Sequence, residues 1–198
     1  MKLNWAERWV VNNPLQVLKQ RIEVGWLKEK MPLKDGAKLL EIGCGRGAGA
    51  KLVVEAFRPS RFYALDLDIR MVQKAKIILA PMGREKLAVF VGNALHLPFE
   101  NDSLDAVFGF GFLHHVVNWR GALTEIARVL RVGGAYLLEE YYPAVYQNFI
   151  TKRILLHPRV DRFYSHDLWQ GLEKVNMPIK EAFELKKLGI LAVAVRKT

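Results

Sequence analysis

The 198-residue chain has one cysteine, Cys44, so it cannot form an internal disulfide. A lone thiol suits a reducing compartment, and a cytoplasmic protein is the expectation. No apolar run approaches the roughly 18–20 residues that a membrane-spanning helix needs. Near the N-terminus, Trp5, Trp9 and Val10 are interrupted by Glu7 and Arg8, which leaves no apolar core for a signal peptide. There is no internal repeat, low-complexity tract or Pro/Gly-rich linker, so a chain of this length reads as one domain. No His/Cys cluster has zinc spacing, and no carboxylate set for magnesium is evident, so no metal is expected. Nor is there a dense Lys/Arg block with interleaved aromatics of the kind that marks a nucleic-acid surface.

What is present is an ordinary globular balance with a basic excess. The net charge is +10, yet residues 37–140 carry thirteen basic against eleven acidic side chains, so most of the excess lies in the two flanks. Such flanks raise the local concentration of anionic partners, or form a scattered, solvated surface. Asn13-Pro14 reads as a helix start, and Leu15, Leu18, Ile22 and Trp26 recur at helical spacing to about Lys30. Pro32 ends that helix, and Asp35-Gly36 makes a turn.

Strands and helices then alternate. Strands are expected at Lys38–Ile42, Arg61–Leu67, Leu87–Val91, Leu104–Phe110 and Ala135–Glu139. Helices are expected at Lys51–Phe57, Met71–Ala80 and Gly121–Leu130, the last closed by Gly133-Gly134. This spacing implies βαβ units and a parallel sheet covered on both faces. Ser165 is placed to cap a helix through about Val175. Strands at Glu184–Lys187 and Ile190–Val195 are then joined by only Leu188-Gly189, too short for a parallel crossover, so the sheet should end in an antiparallel hairpin. The fold class is α/β: one domain, a mostly parallel seven-stranded sheet with that hairpin at its end, and helices on both faces.

The segment Glu41-Ile42-Gly43-Cys44-Gly45-Arg46-Gly47-Ala48 is a glycine loop between a strand and a helix. Glycines there let a ligand approach the main chain, and ligands of open α/β sheets sit beyond the carboxyl ends of the strands. Gly43, Gly45 and Ala48 also fit a dinucleotide fingerprint. Glu41 argues the other way, because a carboxylate suits a ligand carrying a cation better than a pyrophosphate. Asp66, at the end of the second strand, is placed to hold ribose hydroxyls of either ligand. Asp68 reads as a helix cap.

Together these stretches resemble class I S-adenosylmethionine-dependent methyltransferases, most closely those acting on quinones and other small molecules. Glu41–Gly47 resembles their motif I, and Asp66 matches their ribose-binding acid. Gly92-Asn93-Ala94-Leu95-His96-Leu97-Pro98-Phe99 is similar to their adenine-side loop, with Asn93 where aspartate is common. Leu104–Val107, Leu113-His114-His115-Val116 and Leu130-Arg131-Val132-Gly133-Gly134 match later stretches, Val132 replacing a proline. The resemblance covers residues 36–140 and implies a Rossmann-like fold, S-adenosylmethionine as cofactor, and methyl transfer to a small acceptor. It implies that Glu41 and the Gly43, Cys44, Gly45 and Gly47 backbone face the methionine and ribose portions. Asp66 would hold the ribose, Leu67 would pack on adenine, and Asn93 and Ala94 would lie at its edge. Phe110 would approach the methionine end.

Methyl transfer needs a base only when the acceptor must lose a proton. Candidates after the fourth and fifth strands are His114, His115, Tyr141 and Tyr142; the alternative for the histidine pair is a structural or shielding role. No Asp/Asn-Pro-Pro-Tyr/Phe stretch follows the fourth strand, which disfavours amino-group methylation of a flipped base, and no Tyr-x-x-x-Lys pair suggests a short-chain dehydrogenase. Residues 1–35 are read as a helical cap, 36–140 as the cofactor core and 141–198 as the acceptor segment with the hairpin. Tyr141, Tyr142, Pro143, Tyr146, Phe149, Ile150, Leu155, Leu156 and Phe163, with Lys152, Arg153, Arg159 and Arg162, could wall a partly apolar acceptor carrying an anionic group. The competing readings are an NAD(P)-dependent oxidoreductase, an RNA or protein methyltransferase using the basic flanks, and a non-catalytic module.

Overall fold

A computed structural model describes residues 14–83, 85–146, 161–185 and 187–198. In chain order these form α1 (Pro14–Lys30), β1 (Lys38–Ile42), α2 (Ala48–Phe57), β2 (Arg61–Asp66) and α3 (Ile69–Leu79). A 3-10 turn (Ala80–Met82), β3 (Leu87–Val91), β4 (Leu104–Phe110), a second 3-10 turn (Leu113–His115) and α4 (Trp119–Val129) follow. The chain ends with β5 (Leu130–Tyr141), α5 (Pro143–Tyr146), α6 (Ser165–Lys174), β6 (Ile179–Leu185) and β7 (Gly189–Val195). The strands make one seven-stranded sheet in the order β3-β2-β1-β4-β5-β7-β6, with β7 antiparallel to both its neighbours. The expected terminal hairpin is there, and β7 lies between β5 and β6.

Successive residues of the central strands point to opposite faces, and each face is apolar. Leu40, Val107, Tyr136 and Leu138 pack with Trp119, Leu123 and Ile126 of α4 and Leu168 and Leu172 of α6. Leu39, Phe108 and Leu137 pack on the other face with Val24 and Leu27 of α1, Val53 of α2 and Ala75 of α3. Two covered faces explain why these strands read as continuous apolar runs. The chain leaves β1 towards β2 on one side and β4 lies on its other side, so a crevice opens beyond the ends of β1 and β4.

Four expectations need correction. The α1 stripe of Leu15, Leu18 and Ile22 faces outward, at 71%, 56% and 68% exposure. A second apolar set, Val24 and Leu27 with half-buried Val17, meets the sheet instead. Asn13 lies outside the described residues. Gly133-Gly134 does not close α4: the helix runs directly into β5 at Leu130, and the glycines form an irregularity inside the strand, where the register against β4 shifts. Gly133 has φ +77°, and a Cβ on Gly134 would lie 2.8 Å from the Arg131 carbonyl oxygen, so this excursion favours glycine at both positions. Strand β6 begins at Ile179, earlier than expected, because an edge strand carrying Lys180, Glu181 and Glu184 shows little apolar alternation. Finally, Ser165 begins α6 but does not cap it; the Asp167 carboxylate accepts from the Tyr164 N–H at 2.9 Å.

Candidate functional site

A cleft of about 160 Å³ opens at the carboxyl ends of β1, β2 and β4. Gly43, Gly45, Asp66, Leu67, Asn93, Ala94 and Phe110 line it, as expected, and so does His115. Gly92 and Val116, from stretches already matched to the family, add to the wall, and Met71, Gly111 and Phe112, which were not anticipated, complete much of it. The glycine loop folds back on β2, with the Gly43 and Cys44 N–H groups both donating to the Leu65 carbonyl at 2.9 and 3.0 Å. Gly43 has φ +72°, and a Cβ there would lie 2.6 Å from Phe112 Cβ. Gly45 has φ +53°, but a Cβ there would meet no atom within 4 Å. At Gly45 the side chain is missing where the cleft is open.

Asp66 organises the loop. Its Oδ2 accepts from the Gly45 N–H at 2.9 Å and its Oδ1 from the Asp68 N–H at 2.8 Å. Burial pushes its pKa up. A carboxylate has about four lone-pair sites, so acceptor capacity remains on the cleft side. Asp68 caps α3 through the Arg70 N–H at 3.0 Å, as read from the sequence. Across the cleft, Asn93 Oδ1 accepts from the Leu95 N–H at 3.0 Å, which closes a local turn. The following residues are clamped to α4: Leu97 N–H donates to Glu125 at 2.8 Å, and Arg128 donates to the Leu97 and Phe99 carbonyls at 2.9 and 2.8 Å.

Glu41, Cys44 and Gly47 lie outside the cleft wall. Gly47 serves packing, since a Cβ there would lie 3.1 Å from Ala75 of α3. Burial raises the Cys44 thiol pKa well above its ordinary value, so this thiol is inert. Glu41 sits behind the loop against Gly49 and Phe110, and its Oε2 has no hydrogen-bond partner. Burial, reinforced by the Asp66 charge, pushes its pKa up to about 8. An acid raised in the folded state contributes stability fully present below its unfolded value of about 4.3 and lost as pH rises through about 8. Glu41→Gln is therefore expected to raise the thermal midpoint of the ligand-free protein at pH 8 and to flatten its pH dependence. Parallel melting curves for both proteins from pH 5 to 8 would refute this.

The candidate bases separate into distinct settings. His114 Nδ1 lies 2.7 Å from Glu140 Oε2, and Glu140 also accepts from the Leu113 N–H at 2.7 Å. Burial pushes the Glu140 pKa up while His114 opposes this. The Cε1 edge of His114 lies 3.6 Å from where a Cβ on Gly111, a cleft residue, would stand. Tyr141 accepts from Lys19 Nζ at 2.8 Å, and Lys19 also contacts Glu139 and Glu23, each at 2.6 Å. Burial, then the Glu139 charge, pushes Tyr141 up to about 12, against phenolate formation near neutrality. The Tyr142 ring is buried in the core, and its hydroxyl donates to Glu184 Oε1 on the edge strand β6 at 2.5 Å. Tyr142 lies outside the cleft wall, with its hydroxyl engaged by Glu184.

Sequence reading missed Glu140, Glu139 and Lys19. Its available signal was two adjacent acids at the end of an otherwise apolar strand. Tyr146, Arg162 and Phe163 gather beside His114, whereas Phe149, Ile150, Leu155, Leu156, Lys152, Arg153 and Arg159 lie outside the described residues. Among the described residues, no group of three or more His, Cys, Asp or Glu is placed to hold a metal, and no helix is long and apolar enough to cross a membrane.

Comparison with known proteins gives these features a family. The chain is 35% identical over 109 residues to a fatty-acid O-methyltransferase of Mycolicibacterium smegmatis, covering 55% of this chain and 39% of that protein. It is 26% identical over 185 residues to the (+)-O-methylkolavelool synthase of Herpetosiphon aurantiacus, covering 83% and 65%. This chain thus spans less than two thirds of either relative. In fold it is similar to the methyltransferase solved in complex with the Haloferax volcanii Trm112 activator, with a TM-score of 0.75, 18% identity and coverage of 92% and 93%. These likenesses lend no support to the oxidoreductase that the glycine spacing left open. The model of the methyltransferase domain matches residues 40–138, half of the chain, and the chain belongs to that family.

Proposed function

We propose that this chain transfers a methyl group from S-adenosylmethionine to a small, partly apolar acceptor. The observation that carries the reading is the buried Glu41 carboxylate, without a hydrogen-bond partner at Oε2, behind a glycine loop whose cleft also holds Asp66. Acid behind the loop favours a ligand bearing a cation over a pyrophosphate. When bound, the cofactor supplies a methyl group already activated on a sulfonium.

The residues' share of the work is positioning and exclusion of water. Asp66 holds ribose hydroxyls, Leu67 packs on the adenine, and Asn93 and Ala94 bound its edge. The Gly43 and Gly45 backbone faces the methionine portion with Glu41 behind it, and Phe110 lies at its end. Residues 1–35 and 141–198 supply the acceptor side around a core of 36–140. The names of the two relatives, a fatty-acid and a kolavelool methylating enzyme, support a lipophilic acceptor. The single cysteine supports a cytoplasmic setting.

For an acceptor that loses a proton the base is one of the histidine pair: His115 in the cleft wall, or His114, whose ring Glu140 orients. The test is incorporation of methyl label from S-adenosylmethionine into organic-extractable products, over a panel of hydroxylated and carboxylated lipophilic compounds. Of His114→Ala and His115→Ala, the one that removes the base is expected to lower turnover about 100-fold or more, with the protein still binding S-adenosylhomocysteine. An unchanged rate in both variants would make the pair structural. Absence of transfer to any compound, with tight binding of NAD, would overturn the proposal.

A further inference from the structure

The two edges of the sheet differ in how they are protected. Edge strand β6 carries Lys180, Glu181 and Glu184, and its register against β7 shifts between Ile179 and Glu181. Charges and broken register are how natural sheets discourage further strands from pairing. Edge strand β3 has neither. It reads Leu87-Ala88-Val89-Phe90-Val91 and pairs with β2 in unbroken register along its length. Phe62 N–H donates to the Lys86 carbonyl at 2.8 Å, and Gly92 N–H to the Asp66 carbonyl at 3.1 Å. Alternation along the ladder therefore turns the N–H and C=O groups of Ala88 and Phe90 towards β2. Those of Leu87, Val89 and Val91 turn outward, where the sheet ends. Two hollows flank this edge, and Leu87 lines both. The first, about 330 Å³, has an apolar wall of Leu79, Ala80, Leu87 and Val89, with Lys76 among them. The second, about 210 Å³, carries Arg58 and Lys86 beside Phe62 and Met82. Among the described residues, no acid lines either hollow, and no ion pair engages Arg58, Lys76 or Lys86.

We infer that β3 is the docking edge for an extended segment of another protein, one that alternates apolar side chains and carries carboxylates. The segment adds to the sheet as a further strand, exchanging main-chain hydrogen bonds with Leu87, Val89 and Val91. Its apolar side chains enter the hollow beside Leu87 and Val89, and its carboxylates meet Arg58, Lys76 and Lys86. Charge decides the occupant. A second copy of this chain would set one basic rim against another, whereas an acidic segment is attracted and steered. None of these contact residues lines the cofactor cleft, although Gly92, directly after β3, does. The inference is therefore independent of the methyl-transfer reading.

The test follows amide hydrogen exchange of the isotope-labelled protein by NMR, alone and with a peptide of alternating valine and threonine flanked by glutamates. Alone, the Ala88 and Phe90 amides are expected to be protected, and those of Leu87, Val89 and Val91 to exchange freely. With the acidic peptide, the latter three are expected to slow about tenfold or more. The same peptide with lysines in place of its glutamates should bind about tenfold more weakly or worse. An acidic peptide N-methylated along its strand should protect none of the three. Lys76→Glu with Lys86→Glu, both exposed, should weaken the acidic peptide by a similar factor and leave melting and S-adenosylhomocysteine affinity unchanged. Should that variant fail to fold, the comparison of peptides on wild type still decides. No slowing of the three amides up to the solubility limit of the acidic peptide, equal binding of the acidic and basic peptides, or protection that survives N-methylation would overturn the assignment. So would a dimer in sedimentation whose three amides are protected without peptide, because the occupant would then be a second copy. Displacement of the acidic peptide by a uridine oligonucleotide that leaves the three amides unprotected and binds more tightly would make this a nucleic-acid surface instead.

Discussion

Gly45→Val is expected to give a folded protein in which binding of S-adenosylhomocysteine falls at least ~100-fold. The two halves of that statement have separate causes. A Cβ at position 45 meets no protein atom within 4 Å, so the added side chain displaces nothing from the core. The cost to folding is backbone strain, because φ is +53° there and a β-branched residue is poorly tolerated at positive φ. Such strain is on the order of 1–3 kcal/mol, below the ~5–15 kcal/mol that ordinarily holds a domain together. The cost to binding is larger, because the side chain occupies the open space in which the ligand must approach the loop. Gly45→Ala carries less bulk and should retain part of the affinity. Calorimetry alongside melting curves separates the two effects. Undiminished binding in a folded Gly45→Val protein would mean that the ligand lies elsewhere.

Asp66→Ala is expected to weaken S-adenosylhomocysteine by about 30- to 1000-fold. A hydrogen bond to a charged group contributes about 1.5–3 kcal/mol, and a tenfold change in affinity is about 1.4 kcal/mol. Loss of the ribose contacts therefore accounts for one to two powers of ten. The remainder comes from the loop itself, since Asp66 is what accepts from the Gly45 and Asp68 N–H groups. Asp66→Asn keeps one acceptor oxygen but replaces the other with a donor facing an N–H group. It should fall between wild type and alanine. An unchanged dissociation constant for Asp66→Ala would remove this residue from the ligand.

The core of this arrangement was legible because local signals and global fold agree. Lys38–Ile42, Leu87–Val91 and Leu104–Phe110 have the bounds their apolar runs announce, and the glycine loop lies in the strand-to-helix context its spacing implies. Where reading failed, two local patterns competed or none was strong. Helix α1 carries apolar residues on more than one side, and only the packed structure shows that Val24 and Leu27 meet the sheet. Gly133-Gly134 looks like a helix stop, but it is a strand irregularity in which positive φ at Gly133 and the close backbone at Gly134 favour glycine. The site was harder still. Gly43, Gly45 and Asp66 form one sequence motif, so their roles could be read together. Glu140 matters through a contact with His114, 26 residues away. Lys19 reaches Glu139 and Tyr141 from the far end of the chain. Side chains joined over such separations leave no periodicity to detect.

The most direct test of the central claim is calorimetric titration of S-adenosylhomocysteine and NAD into the wild-type protein at pH 7.5. The account predicts saturable binding of S-adenosylhomocysteine at one site per chain and no measurable binding of NAD. It also predicts release of protons as the ligand's positive charge favours ionisation of Glu41 buried behind the loop, visible as a dependence of the heat on the buffer used. Tight binding of NAD, or no binding of S-adenosylhomocysteine by a protein that melts cooperatively, would contradict it.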